Sequence, residues 1–85
     1  MHQSQRGSDL IAVQCKMARV AVGLGVRELA SAAGVSTDTV ARLERGEVLR
    51  PTTLAIIQAA LEAAGVVFID QNGGGPGVRL VQKES

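Results

Sequence analysis

The sequence predicts a mainly α-helical domain of short helices with a β-hairpin or strand at its C-terminal end. Three observations lead there. Apolar residues recur at three- and four-residue spacing from Leu10 to Leu61. Glycines 34, 46 and 65 fall where those periodic stretches stop. After Gly65 the pattern changes to two β-branched runs on either side of a glycine-rich turn. A chain of 85 residues makes one domain with a modest core. It has one Phe and neither Trp nor Tyr, so the core must be built from Ala, Val, Leu and Ile.

Residues 1–7 are polar and read as a flexible arm; the helical domain is expected over 8–65. Ser8 can cap a first helix, with Asp9 in its first turn facing the positive end of the dipole. Leu10, Val13, Met17, Val20 and Leu24 share one apolar stripe, which predicts the inner face. Gly23 and Gly25 end that helix near Val22. A second helix is expected over Val26–Ala33, with Leu29, Ala30 and Ala33 inward and Gly34 in the left-handed conformation that stops it. Val35 would plug the turn into the core. Ser36 can cap a third helix, Thr37–Arg45, that turns Val40 and Leu43 inward and ends at Gly46. Arg50 precedes proline and is pushed toward an extended conformation. Thr52 or Thr53 can cap a fourth helix, with Leu54, Ile57 and Leu61 on its inner stripe.

The hairpin is expected over residues 66–82, with 83–85 as a disordered tail. Val66, Val67, Phe68 and Ile69 would form one strand and Val78 to Val81 the other. An isolated two-stranded hairpin is marginal in water, and its apolar side chains and open edge need cover. Either the hairpin folds back on its own helices or strands of two copies pair. The small size and the strand's apolar character on both faces favour a homodimer.

The stretch from Leu24 to Gly46 has the punctuation of a helix-turn-helix, a unit that lays its second helix in the major groove of DNA. The net charge is +1, so any attraction to nucleic acid must come from locally clustered charge. From Lys16 to Arg50 the bases are Lys16, Arg19, Arg27, Arg42, Arg45 and Arg50, against the acids Glu28, Asp38, Glu44 and Glu47. The lack of aromatic platforms argues against single-strand binding by base stacking.

Arg19, Gly23-Leu24, Glu28-Leu29-Ala30, Ala33-Gly34-Val35-Ser36, Thr39-Val40, Leu43-Glu44, Gly46 and Pro51 together resemble the lambda-repressor-like (Cro, XRE) helix-turn-helix family. The match runs without gaps from about Arg19 to Pro51 and loosely on to Gly65. The resemblance implies a compact bundle of four or five helices whose second and third helices form the reading unit. It places Ser36, Thr37, Asp38, Thr39 and Arg42 at positions that face base edges. It sets Gly25-Val26-Arg27 and the linker Glu47 to Arg50 beside phosphate. It also makes Arg19 and Glu44 a structural ion pair tying the first helix to the third, which excludes both from base reading.

The chain departs from the family at the opening of the second helix. Many members carry Ser-Gln or Asn-Gln there; this chain has Gly25 and Val26, and valine cannot donate to phosphate. Asp38 can accept from cytosine N4 but is repelled by phosphate, and it also has an inert role beside the helix dipole. Arg42 is the best candidate for a bidentate contact to guanine. Arg27 and Arg42 also have the ordinary reading of solvated surface charges, and Ser36 that of a cap.

The glycine run Gly73 to Gly77 lacks the Lys, Ser/Thr and following helix of a phosphate loop and reads as a turn. Cys15 is the only cysteine, which excludes an internal disulfide and a cysteine-based zinc site and fits a cytoplasmic setting. It reads as a small apolar side chain on the first helix. His2 has no partner motif for metal. No apolar run reaches membrane-spanning length, and the N-terminal residues lack a signal-peptide core. No constellation supports catalysis, so neither an enzyme nor a cofactor is expected. The leading expectation is a dimeric, sequence-specific regulator of transcription on double-stranded DNA. The alternative is a protein-binding antiactivator on the same scaffold, capturing another transcriptional regulator through an exposed Val26 and the edge of the Val66 to Ile69 strand.

Overall fold

A computed structural model describes residues 12–69 and 77–81. In chain order these form α1 (Ala12–Ala21), α2 (Val26–Ala33), α3 (Thr37–Glu44), α4 (Pro51–Ala64), β1 (Val66–Ile69) and β2 (Gly77–Leu80). The architecture is mainly helical, with one two-stranded antiparallel sheet. The expected N-terminal arm, the Ser8 cap, Asp9, Leu10, the glycine turn and the C-terminal tail lie outside the described residues.

The helices meet around a core of Cys15, Ala18, Leu29, Ala30, Val40, Leu43, Ile57, Leu61 and Val66. Each large aliphatic side chain removed from water there contributes roughly 1.5–3 kcal/mol. The expected inner stripe of α1 is corrected. Val13 and Val20 are 51% and 62% exposed, and Met17 is exposed as well. The helix instead buries Gln14, Cys15 and Ala18. Both faces of α1 carry apolar residues, so periodicity offers two choices. The face with small side chains wins because it lets α1 approach α3 and α4 closely. Leu24, just past the helix, does pack against the core.

α2 and α3 end in the same backbone device. After α2, the Gly34 amide bonds Ser31 O at 3.2 Å and the Val35 amide bonds Ala30 O at 3.0 Å, with Gly34 left-handed at φ 74°. After α3, the Gly46 amide bonds Leu43 O at 2.9 Å and the Glu47 amide bonds Arg42 O at 3.0 Å. These are Schellman closures, which glycine permits because it has no Cβ to clash. Val35 packs against the core, and so does Val26. Val26 is therefore not the exposed anchor that its position in the sequence suggested.

Two boundaries also shift. α3 stops at Glu44, with Arg45 as its C-cap. α4 starts at Pro51, and the flanking Arg50 makes no side-chain capping bond. Neither Thr52 nor Thr53 is the cap, because proline is well suited to the first helical position and already fixes the entry.

β1 pairs with β2 of the same chain in the register Val66↔Leu80, Val67↔Arg79, Phe68↔Val78 and Ile69↔Gly77. Val66 is buried, and Phe68 and Val78 pack against the core. Gln14 Nε2 donates to Gly77 O at 3.3 Å and ties β2 to α1. The hairpin thus folds back on its own helices, while Val67 and Ile69 on its other face stay exposed.

Candidate nucleic-acid interface

α3 is eight residues long and buries Val40 and Leu43. Three residues apart, these occupy one face, so the opposite face is free of the core. Asp38 lies exposed on it, Thr37 is exposed at the start of the helix, and Thr39 is half-buried. Ser36 caps the helix: its Oγ accepts from the Thr39 amide at 3.1 Å and shares a 2.9 Å hydrogen bond with Thr39 Oγ1. The cap aims both hydroxyls to the same side.

Between α3 and the start of α4 runs a groove of about 510 Å³. Val35 and Leu49 line it with Ser36, Thr39 and Arg42 on one side and Arg50 and Thr53 on the other. It thus gathers Ser36, Thr39, Arg42 and Arg50 into one concave surface. Thr37, Asp38 and the exposed Arg27 of α2 lie outside its lining. Val48 of the linker also lines the groove and is 94% exposed.

Arg42 is not a free cation. Its Nε donates to Glu47 Oε1 at 2.9 Å, and Arg45 Nη2 donates to Glu47 Oε2 at 3.0 Å. Hydrogen bonds from Arg42 and then Arg45 hold the Glu47 carboxyl below the usual carboxylate range. Sequence reasoning counted Glu47 as a linker acid and missed this bridge. The pair is five residues apart across a glycine closure, outside the three- and four-residue spacing that pairs side chains on a helix.

A second arginine–carboxylate pair lies at the other side of α3. Arg19 Nε donates to Glu44 Oε2 at 2.8 Å, Arg19 Nη2 to Glu44 Oε1 at 2.9 Å, and Arg19 Nη1 to Leu24 O at 3.1 Å. The two side chains are only 13% and 11% exposed. Cys15 Sγ donates to Glu44 Oε2 at 3.4 Å. Burial pushes the Glu44 carboxyl up, but the bonds from Arg19 and Cys15 outweigh it and hold the group low. Burial and the carboxylate together push the Cys15 thiol up to about 12. Cys15 is thus a core side chain as well as a hydrogen-bond donor.

Among the described residues no cluster of His, Cys, Asp or Glu could hold a metal ion, and no helix is long and apolar enough to cross a membrane. No curated protein matches the chain. A family model described as a helix-turn-helix domain matches residues 11–67, from the first helix into β1. The helix order, the closure at Gly34 and the outward α3 all lie within that span, and the chain belongs to this helix-turn-helix domain family, of the lambda-repressor-like type.

Proposed function

We propose that the protein is a regulator of transcription that binds double-stranded DNA, with α3 entering the major groove. The outward face of α3 carries this reading: Thr37, Asp38, Thr39 and Arg42 are open to a partner on a short helix whose other face is anchored in the core. Arg42 would address guanine, and the two hydroxyls and Asp38 would address neighbouring base edges. Arg50 in the groove wall and Arg27 at the start of α2 would meet phosphate. This division of labour predicts binding that weakens with salt, with a slope set by these few phosphate contacts in each subunit.

The protein acts as a homodimer, which would set two recognition helices about 34–36 Å apart on a near-palindromic site. Support comes from the exposed apolar side chains Val67 and Ile69 on the hairpin and Val13, Met17 and Val20 on α1. Such side chains favour burial against a second copy. Sedimentation of Ile69→Arg and Val20→Arg beside the wild type tests this. A wild type that sediments as a monomer would refute the dimer.

The same apolar surface supports the alternative of a module that captures another regulator. Titration against DNA from the protein's own promoter region, across salt, separates the two. The regulator predicts a sequence-preferring complex whose preference Arg42→Ala largely removes and Asp38→Ala alters. No retardation of any DNA at low salt, with another regulator co-purifying, would decide for the module.

A further inference from the structure

We propose that Glu47 is a specificity-determining residue: it occupies one edge of the Arg42 guanidinium, keeps that group from phosphate and leaves its outer edge for a base. The inference rests on the DNA-binding reading above.

The backbone sets the position of Glu47. Gly46 is left-handed at φ 94°, and the Glu47 amide bonds Arg42 O at 3.0 Å, which brings residue 47 back over the last turn of α3. From there one carboxylate oxygen reaches Arg42 and the other reaches Arg45. Glu47 engages Arg42 through Nε at 2.9 Å. The two terminal nitrogens of Arg42 stay available for the parallel pair of bonds that reads guanine O6 and N7.

Two consequences follow from charge and geometry. A guanidinium bonded at Nε has its pose biased, so somewhat less entropy is surrendered when it docks on a base. The carboxylate also offsets one of the two arginine charges at the end of α3, and a phosphate approaching either arginine meets its field. Binding to DNA of any sequence is weakened, whereas the guanine contact is kept. Arg42 and Arg45 hold the Glu47 carboxyl low, so it stays ionised at neutral pH and can accept from Arg42 there.

The test compares wild type, Glu47→Gln and Glu62→Gln on promoter DNA and on a scrambled duplex across salt. Glu62 sits on α4, bonded to Gln58, and is absent from the groove lining. Glu47→Gln should bind scrambled DNA about fivefold more tightly at low salt, with a salt slope steeper by about one. Its preference for promoter over scrambled DNA should fall by a similar factor. Glu62→Gln should change neither preference nor slope. Equal behaviour of Glu47→Gln and wild type, or an equal gain in Glu62→Gln, overturns the role of Glu47 and leaves the DNA-binding reading standing. A wild type and a Glu47→Gln variant that both retard no DNA overturn the DNA-binding reading, and this inference falls with it.

Discussion

α3 carries an arginine–carboxylate arrangement at each side, and the two have the same chemistry in opposite surroundings. Arg19 and Glu44 are 13% and 11% exposed and joined by two parallel hydrogen bonds. Arg42, Glu47 and Arg45 are 42%, 44% and 58% exposed and joined by single bonds. Burial decides what each arrangement is for. In the first, neither charge can return to water if its partner is lost, so the pair locks α1 to α3. In the second, water and salt weaken every bond, so Glu47 biases the pose of Arg42 and leaves its terminal nitrogens open to a partner.

Removing Glu44 should break this contrast most forcefully. Glu44→Gln leaves Arg19 buried with an uncompensated charge and should lower unfolding stability by about 3–5 kcal/mol in urea. A loss below ~1 kcal/mol would put the pair in the same class as the exposed one. Arg42→Ala is the matching test on the other side. It should leave the urea midpoint near that of the wild type, yet reduce the preference for promoter over scrambled DNA about ten- to a hundredfold. A large fall in stability would make Arg42 a structural residue.

Acid should sharpen the comparison further. The native Glu44 carboxyl lies below its ordinary value of 4.5, so its contribution is fully present above that value and is lost as pH falls through the lowered native one. A urea series from pH 6 downward should show stability falling below 4.5 in the wild type and a flatter profile in Glu44→Gln. Near neutral pH, where the thiol keeps its proton, the smallest effect is expected at Cys15. Its native pKa of about 12 exceeds the ordinary 9.0, so stability is retained up to about pH 9 and declines between those values. Cys15→Ala should lack that alkaline decline. Iodoacetamide should label the wild-type thiol only as fast as the protein opens, and rapid labelling of the folded protein would contradict its burial.

Much of this was legible from residue order. The apolar spacing and Gly34, both local signals, place α2 at Val26–Ala33. The Ser36 cap and the inward turn of Val40 and Leu43 follow from the same short-range rules, while the outward placement of Thr37 and Asp38 comes from the family resemblance. Periodicity points to the wrong face of α1 because two of its faces are apolar. The larger one, with Val13, Met17 and Val20, is the natural first choice when hydrophobicity is counted without shape. Composition points to Thr52 or Thr53 as the cap, although Pro51 already supplies the start of α4. The Glu47 bridge was invisible because it depends on the direction the chain takes after Gly46.

Local chemistry was therefore enough to specify where helices begin and end, that a helix-turn-helix is present, and which side of α3 looks outward. Those properties depend on backbone hydrogen bonding and periodicity over a few residues. Three matters needed the folded chain: which apolar face of α1 is buried, how the hairpin is covered, and which carboxylate holds Arg42. Each is a choice among partners of similar chemistry, and close packing and backbone direction settle it by deciding which of them can approach.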